Sequence, residues 1–487
     1  MKGRLEKDAL GRLQVPSHVY YGIFTTRALK NFQLTGLRAP RVFIKALGLI
    51  KEASAEINMD LGLLDKKLCR AIMQAAQEFA DGKFDEEFPL DPIQAGAGTP
   101  FNMNANEVIA NRANEILGEP LGSYNPVHPN NHVNLSQSSN DVIPTAARIS
   151  ALFAIAPLID SLEKLAMSFH KISFAYSGLV KVGRTHLEDA VPVTIGQEFK
   201  AFATMLEKTK KRLILSSHEL LEVGLGGTAT GSGITTHPGY QKKVVMKLAK
   251  LTRLPLSATN DLFETTASMN LFVGVSGALK MLAIDLVKIA NDLKILNMGP
   301  FAGIGEITLP KVQPGSSIMP GKVNPSVAEA VHMAGYQVMG ADHAITLAAQ
   351  AGQLQVNVMT PLIIHNLLSS ILLLSNTCEM FRKDCVDGIT INETVIKTLF
   401  ERSLVTATAL SPYLGYEVTA ELVKEALETT RSIVYVLRQK GFIEEQDLRK
   451  ILGTENTTKP AMLDMKLKSK IERNEEYQKF KKALKPE

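Results

Sequence analysis

The chain has 487 residues, of which 45% are apolar, and its formal net charge is only +5. This length and composition allow a large buried core and exceed what a small binding module needs. The 54 basic and 49 acidic residues are spread along the sequence, which disfavours nucleic acid as a partner. The three cysteines have no Cys-x-x-Cys spacing and are too few for a disulfide framework or a thiolate metal site, so we expect a reducing compartment.

Two segments bear on the location of the protein. Residues 1–10 are charged and lack the apolar stretch of a secretory signal, which predicts a cytoplasmic protein. The most apolar run, 361–374, is too short to span a bilayer and is interrupted by polar residues. It therefore predicts a core helix, and we expect no membrane partner.

The first segment with candidate chemistry is rich in small residues. Residues 95–99 read Ala-Gly-Ala-Gly-Thr and are followed by Asn102, Asn104 and Asn106. Small residues let backbone amides approach a ligand closely, and the amides and the threonine hydroxyl can bind an anion. A glycine turn before a helix explains the segment equally well.

A dense run of amide and hydroxyl side chains follows at 128–141, ahead of a helical pattern over about 145–176. It includes Ser138, Ser139 and Asn140. Such groups can fix a carboxylate or an amine by hydrogen bonds without strong local charge. A cluster that caps the start of the helix is an equal alternative.

The third polar segment, 183–189, contains a histidine, His186, among groups that could set its tautomer. A lone histidine is more often structural than catalytic, so this segment alone decides nothing. Helical patterns follow over 196–223 and 265–296. The second of these predicts one long amphipathic helix without an internal proline.

The fourth polar segment is a loop at 315–325 that reads Gly-Ser-Ser-Ile-Met-Pro-Gly-Lys-Val-Asn-Pro. Its glycines and prolines predict a loop, and a helical pattern over 325–351 follows. Few structural roles explain a lysine, adjacent hydroxyls and hinge residues packed into one apolar neighbourhood. This loop is therefore the strongest functional candidate.

The helical patterns extend over 360–384, whereas alternation with a period of two is hard to find. We therefore predict a mainly α chain with a bundle of long helices, and the length of those helices indicates oligomerisation through the bundle. Gly388 resembles a helix C-cap and marks a boundary. The predicted domains are 1–137, 138–390 and 391–487.

The four polar segments together offer hydroxyls, amides, one lysine and one histidine. They contain neither a thiolate pair nor the residues of a metal cage, and the nucleotide fingerprints G-x-G-x-x-G and G-x-x-x-x-G-K-[ST] are absent. A small ligand with two carboxylates suits such a site. We accordingly predict no cofactor and no metal at the site, and activation by a divalent cation stays an open alternative.

The loop at 315–325 matches the signature G-S-S-x-M-P-x-K-x-N-P of the aspartase/fumarase superfamily, and that signature is highly specific. The resemblance covers nearly the whole chain, because residues 15–28, 95–99, 136–141 and 183–186 are similar to other segments of the family. It implies three mostly helical domains. It also implies a homotetramer around a core of twenty helices, with each active site built from three subunits.

The resemblance leaves two reactions open: elimination of ammonia from L-aspartate, or of water from L-malate as in class II fumarate hydratases. Ala97, His132 and residues 351–359 are similar to aspartases, whereas residues 128–129, 303–306 and 314–321 are similar to fumarases. The differences nearest the expected ligand favour ammonia, so we expect an ammonia-lyase that forms fumarate. A non-catalytic relative, like the structural crystallins of the superfamily, is a third alternative.

The resemblance also implies roles for individual residues. Ser316 would be the catalytic base, and His186, oriented by Glu329, would complete the catalytic group. The residues implied in substrate binding are Thr99, Ser138, Ser139, Asn140, Thr185, Ser317, Lys322 and Asn324.

Four residues depart from the usual family pattern. They are Pro100, Phe101, Phe301 and Thr360. These departures could reshape the pocket for a different amino acid.

Overall fold

A computed structural model describes residues 3–484 of the protein. Residues 1 and 2, which begin the charged segment used above to predict the location, lie outside the described residues. Helices dominate the described part of the chain, and the strands are short. The predicted mainly α class is therefore confirmed.

The elements follow in chain order. The helices are α1 (Ile23–Asn31), α2 (Arg41–Asp60), α3 (Lys66–Ala80), α4 (Thr99–Ile116), α5 (Ser139–Ala175), α6 (Ile195–Ser217), α7 (Tyr240–Thr252), α8 (Leu262–Ala267), α9 (Asn270–Leu296), α10 (Ser326–Gln350), α11 (Thr360–Asp384), α12 (Glu393–Arg402), α13 (Ala407–Leu414), α14 (Tyr416–Thr429), α15 (Ile433–Lys440), α16 (Glu445–Ile451), α17 (Thr454–Thr457), α18 (Met465–Glu472) and α19 (Glu475–Ala483). The strands are β1 (Gly3–Asp8), β2 (Gly11–Pro16), β3 (Val180–Thr185), β4 (Glu188–Thr194), β5 (Glu222–Val223), β6 (Ser257–Ala258), β7 (Ile307–Thr308) and β8 (Thr390–Ile391).

The strands form pairs and no larger sheet within residues 3–484. Strands β1 and β2 make an antiparallel hairpin, and so do β3 and β4, whose register shifts between Val182 and Arg184. The other two pairs are β5 with β6 and β7 with β8, each only two residues long. The two longer hairpins place polar residues beside their turns: Lys7 and Asp8 in the β1–β2 hairpin, and Thr185 in the β3–β4 hairpin.

Long helices cross between two compact units. The first unit comprises the chain up to Glu163 together with Lys208–Val287 and Ala330–Glu379, and the second comprises Lys164–Glu207, Lys288–Glu329 and Met380–Glu487. Helices α5, α6, α9, α10 and α11 each contribute residues to both units. The three-domain division at 137 and 390 stays a prediction.

The core of the first unit includes the packed helices α2, α3 and α4. Between them lies a cluster of aromatic rings, in which Phe88 stacks on Phe101 at a centroid distance of 5.3 Å and Phe43 meets Phe101 edge-on at 5.4 Å. All three rings are buried. Such a ring, fully buried, contributes roughly 2 kcal/mol through removal of apolar surface from water, and aromatic pairing adds to this.

The core of the second unit has an aromatic part and an aliphatic part. Phe169, Phe199 and Phe202 pack against one another with ring centroids 5.5–6.2 Å apart. The C-terminal helices α13 to α19 enclose a separate cluster of aliphatic side chains, which Leu410 and Leu422 exemplify. Both residues are fully buried.

The helix predicted over 265–296 is interrupted, so that part of the prediction is wrong. Helix α8 ends at Ala267, and Ser268 adopts an extended conformation with φ −94° and ψ 127°. The Ser268 hydroxyl lies 3.5 Å from the amide of Asn270, where α9 begins. A serine that competes for backbone groups in this way favours a helix boundary over a helix interior, which apolar spacing does not reveal.

Within residues 3–484, two helices, α5 and α11, are long and apolar enough to cross a membrane by length and composition. However, 67% of the apolar window in the first and 56% of that in the second are buried inside the protein. Core helices of large bundles show the same combination, because a helix buried on several sides is apolar all round.

Candidate active site

One pocket of the first unit collects three of the predicted binding residues. Thr99, Ser138 and Ser139 line a cavity of about 540 Å³. Its wall also includes Lys7 and Asp8 from the β1–β2 hairpin. The carboxylate of Asp8 accepts two hydrogen bonds from the guanidinium of Arg27, at 2.7 and 2.9 Å, and this holds the pKa of Asp8 below its usual value.

The backbone before α4 brings Thr99 to this pocket through a tight left-handed turn. Ala97 has φ 56° and Gly98 has φ 71°, and the helix begins directly afterwards at Thr99. A Cβ atom on Gly98 would lie 3.0 Å from a methyl group of Ile143, so glycine fits both the conformation and the space. The first amides of a helix attract anions, and Thr99 therefore sits where a carboxylate is favoured.

The start of α5 contributes the second group of hydroxyls. The Ser138 hydroxyl accepts a hydrogen bond from the Asn140 amide at 3.2 Å, and the Asp141 carboxylate accepts one from the Ser138 amide at 2.9 Å. Ser138 therefore does cap the start of α5, as the alternative interpretation of this segment expected. Its O–H is still a donor that a ligand can use. The side chain of Asn140 donates from Nδ2 to the carbonyl of Ala229 at 2.8 Å.

Beneath these hydroxyls lies a buried lysine that the sequence analysis missed. Lys51 of α2 is 0% exposed, and its ammonium donates to the side-chain oxygens of Asn102, Asn134 and Gln137 at 2.7, 3.1 and 2.9 Å. Burial lowers the pKa of Lys51 to about 7, and the charge of Asp141 opposes that shift. The available signal was the spacing of Lys51 from Leu47, which places the lysine on the same face of α2 as buried apolar residues.

The predicted histidine lies at the tip of the β3–β4 hairpin in the second unit. Its turn consists of His186 and Leu187, which have φ 55° and 65°. Side chains other than glycine and asparagine adopt this region at a cost of roughly 1 kcal/mol or more each, and such strain clusters at functional sites. Thr185 and His186 are both exposed at this tip.

Buried charges anchor the same hairpin. The carboxylate of Glu306, which is 0% exposed, lies 2.9 Å from the guanidinium of Arg184 and 2.7 Å from the ammonium of Lys181. Both cations belong to β3. Because Arg184 directly precedes Thr185, these ion pairs fix the strand from which the threonine and the histidine project.

The loop at 315–325 directs two backbone amides at the hydroxyl group of Ser316. Its Oγ accepts hydrogen bonds from the backbone amides of Ile318 at 3.2 Å and Met319 at 3.0 Å. Two amides that point at one oxygen stabilise negative charge on it, as in an oxyanion hole. Ser316 is thereby suited to act as an alkoxide, which an ordinary serine is too weakly acidic to do.

Hydrogen bonds between its two ends close this loop. The amide of Gly315 donates to the carbonyl of Lys322 at 2.8 Å, and Nδ2 of Asn324 donates to the carbonyl of Gly315 at 2.8 Å. Asn324 is therefore at least partly a structural residue. Ser317 and Lys322 are exposed on the loop, and Glu329 lies in the first turn of α10.

Replacing Gly315 by alanine should disrupt this loop without unfolding the protein. The added Cβ would lie 2.5 Å from the amide nitrogen of Asn324 and 2.8 Å from the carbonyl oxygen of Lys322. We expect kcat/KM to fall by about thirtyfold, since small displacements of catalytic groups are costly. The melting temperature should stay nearly unchanged, because the loop is exposed. Gly178→Ala is the matched control, since no atom lies within 4 Å of its added Cβ; equal activity of the two variants would contradict the prediction.

The structure accounts for three of the four departures from the family pattern. Phe101 is a core residue in the aromatic cluster and is not among the residues that line the pocket, so an effect of Phe101 on the pocket stays a prediction. Pro100 occupies the first turn of α4, where its missing amide costs nothing. Thr360 is buried at the start of α11 and donates to the carbonyl of Asn357 at 2.9 Å. Phe301 is 100% exposed, and nothing in the structure explains it.

The predicted residues thus form three local groups, which are the pocket of the first unit, the β3–β4 tip and the 315–325 loop.

Two family models match the chain: one described as "Lyase" over residues 11–340, and one described as "Fumarase C C-terminus" over residues 406–459. The chain belongs to the aspartase/fumarase superfamily of lyases. This membership confirms the resemblance carried by the 315–325 signature.

Individual members of this superfamily match over nearly their full length. The chain is 47% identical to an aspartate ammonia-lyase of Pseudomonas aeruginosa, over 95% of this chain and 98% of that protein. It is 44% identical to the aspartate ammonia-lyase of Bacillus subtilis, over 96% and 98% of the two chains. A class II fumarate hydratase of Nitrosomonas europaea is 48% identical over 87% of this chain and 92% of its own.

Solved structures of the superfamily agree with the fold. The crystal structure of a fumarate lyase:delta crystallin from Brucella melitensis superposes with a TM-score of 0.91 at 42% identity, covering 94% of this chain and 100% of that one. A class II fumarase from Schistosoma mansoni gives a TM-score of 0.90 at 33% identity, covering 93% and 98% of the two chains. The fold is therefore the mainly α fold of this superfamily.

Proposed function

We propose that the protein is an aspartate ammonia-lyase, which reversibly eliminates ammonia from L-aspartate to give fumarate. The observation that carries the proposal is Ser316, whose Oγ faces two backbone amides in the signature loop of a chain that belongs to this superfamily of lyases. The reaction class is a carbon–nitrogen lyase. Relatives named aspartate ammonia-lyase match this chain over 95–96% of its length.

The first step removes a proton from the carbon next to the carboxylate that lies away from the amino group. Ser316 takes this proton as an alkoxide, and the electron pair left on carbon spreads into the neighbouring carboxylate to give an aci-carboxylate. In the second step this pair forms the carbon–carbon double bond as the carbon–nitrogen bond breaks. Ammonia leaves with the bonding electrons, and fumarate remains.

The doubly charged aci-carboxylate is the species that most needs stabilisation. We assign it to the hydroxyls of Thr99, Ser138 and Ser139, joined by Ser317 when the loop closes. The first three line one pocket, and two of them begin long helices whose terminal amides favour anions. Donors aimed at developing charge lower the barrier more than donors that bind substrate and transition state equally.

The remaining residues of the site hold the other ends of the substrate. Thr185, Lys322 and Asn324 bind the second carboxylate in this proposal. Asn140 binds the amino group together with Thr99 and His186. Since Nδ2 of Asn140 is directed to Ala229, its Oδ1 can accept a hydrogen bond from an ammonium group.

His186 is held in its role by Glu329 in the same proposal. A carboxylate that accepts a hydrogen bond from one imidazole nitrogen fixes the tautomer and the orientation of the ring. Glu329 is partly buried in the first turn of α10, and His186 is exposed at a strained turn. These two residues belong to an active site completed by other subunits.

We propose a homotetramer in which each active site takes residues from three subunits. The long helices expose large apolar side chains, among them Phe174 at 87%, Met333 at 69% and Leu372 at 58%. Apolar side chains along helices of a bundle mark faces that other subunits cover.

Light scattering of the purified protein tests this assembly. We expect a mass of four times the chain mass of 53.1 kDa. A species with the mass of one chain and full activity would contradict shared active sites, because such a site is incomplete in a single chain.

Class II fumarate hydratase activity is the second candidate, since one such relative matches at 48% identity. It is not favoured, because its match covers less of this chain and because Ala97 stands before the Gly-Thr pair, as in aspartases. A non-catalytic role is disfavoured by the intact set of polar residues at the site. We further propose that the enzyme acts in the cytoplasm and needs no bound cofactor, since a serine base supplies the chemistry.

Product analysis tests the proposal. Purified protein incubated with L-aspartate should release ammonia and fumarate in equal amounts, measured by a coupled ammonia assay and by the absorbance of fumarate. Release of neither product from L-aspartate by the folded tetramer would refute the assigned function.

A further inference from the structure

The buried Lys51 has hydrogen-bond partners that fix the orientation of its neighbours. Its ammonium has donors only, so the atoms that face it must be acceptors. The side-chain oxygens of Asn102, Asn134 and Gln137 therefore point at Lys51, and their amide nitrogens point away from it. A single buried charge thus removes the ambiguity of amide rotation at three side chains.

The orientation of Asn102 passes to a hydroxyl of the pocket. With its oxygen held by Lys51, Asn102 donates from Nδ2 to Oγ of Ser139 at 3.2 Å and to Oδ1 of Asn134 at 3.0 Å. Because Oγ of Ser139 accepts this hydrogen bond, its own proton is directed elsewhere. Ser139 lines the pocket, so that proton is available to a ligand there.

We infer that Lys51 is a positioning residue that acts through Asn102 to make the Ser139 hydroxyl a hydrogen-bond donor to the substrate carboxylate. The inference rests on the proposed function, since the ligand is taken to be a dicarboxylate. Lys51 does not touch the pocket itself, because it is 0% exposed and is not among the lining residues.

A purely structural role explains Lys51 poorly. Burying an ammonium group costs several kcal/mol, and an apolar side chain of similar volume often stabilises a core better. The charged group that opposes its desolvation is Asp141, whose carboxylate accepts hydrogen bonds from the amides of Ser138, Gly226 and Thr228. The lysine is thus placed to orient amides rather than to form a tight ion pair.

A double-mutant cycle between Lys51→Met and Ser139→Ala tests the inference. Methionine keeps most of the volume and removes the three donors. We expect Lys51→Met to lower kcat/KM for L-aspartate by about tenfold in the wild-type background, the cost of one misdirected hydrogen bond. In the Ser139→Ala background the same change should cost less than about twofold, since the hydroxyl it orients is gone. Equal losses in the two backgrounds, or no loss in the first, would overturn the inference.

Two further variants separate positioning from folding. Ser54→Ala is the matched control, because Ser54 is buried one turn further along α2 and its hydroxyl accepts a hydrogen bond from the Tyr240 hydroxyl at 3.0 Å. Neither Ser54 nor Tyr240 lines the pocket. It should lower the melting temperature and leave kcat/KM unchanged. If Lys51→Met does not fold, Asn102→Asp replaces it, since a carboxylate still accepts from Lys51 but cannot donate to Ser139. It should show the same dependence on the Ser139 hydroxyl.

Calorimetric binding of succinate, a dicarboxylate without an amino group, separates this inference from the proposed function. Weaker binding to Lys51→Met, with the weakening lost in the Ser139→Ala background, supports the inference without any turnover. If the wild-type protein is inactive but the effect of Lys51→Met on succinate binding still depends on the Ser139 hydroxyl, only the proposed ammonia-lyase function is refuted. An active enzyme without that dependence would refute the role of Lys51 alone.

Discussion

Replacing Ser316 by alanine should lower kcat with L-aspartate by about 10³-fold, the middle of the range for loss of a general base. The two amides that donate to its Oγ stabilise the alkoxide, and alanine has neither an oxygen for these amides nor a group that can take the proton. Ser316 is a partly exposed loop residue, so the tetramer and its melting temperature should be retained. Steady-state kinetics on the purified variant give the result.

Ser326→Ala provides the control for this substitution. Ser326 begins α10 just beyond the loop, and the hydrogen bonds of its hydroxyl are long, at 3.4 Å each. Its replacement should leave kcat close to that of the wild type. If Ser316→Ala kept a comparable rate, Ser316 would not be the base.

Replacing Lys322 by methionine should lower kcat/KM by about a hundredfold, on the order of 3 kcal/mol, because a carboxylate in a closed site would lose its charged partner. Lys322 is the only cation within residues 315–325, and methionine keeps most of its volume. The backbone of the loop should survive, since its closing bonds involve the carbonyl of Lys322 and not the ammonium.

Lys311→Met is the matched control, since Lys311 is an exposed lysine shortly before the same loop. A solvated lysine contributes little, so its loss should change kcat/KM by less than about threefold. A similarly small change for Lys322→Met would remove Lys322 from the binding role and weaken the other assignments in the loop.

The long helices could be predicted because their apolar spacing reflects burial along their whole length. Each helical pattern between about residue 145 and residue 384 contains a long helix in the structure, but the pattern over 196–223 runs past the end of α6 at Ser217. The break at Ser268 could not be predicted from spacing, since it depends on a local hydrogen bond of one side chain. The two hairpins also escaped prediction, because each is only one pair of short strands.

At the candidate site, sequence similarity pointed to the residues that bear hydroxyls but not to the residues that orient them. Ser138 and Ser139 stand out in a polar run, whereas Lys51 is one of several charged residues of α2, and the sequence does not show that it is the buried lysine of that helix. Phe101 shows the same limit, since the sequence places it two residues after Thr99 while its ring lies in the core. Neighbours along a helix point in different directions, and only the packed structure shows which way each side chain faces.

The leaving group is the part of the proposed function that depends on the fewest residues. The choice between ammonia and water as the leaving group is tested most directly by the ratio of kcat/KM for L-aspartate to kcat/KM for L-malate. Fumarate absorbance is the readout for both substrates. We expect fumarate to form from L-aspartate and not measurably from L-malate. Fumarate formed from L-malate and not from L-aspartate would contradict the ammonia-lyase assignment and identify the enzyme as a fumarate hydratase.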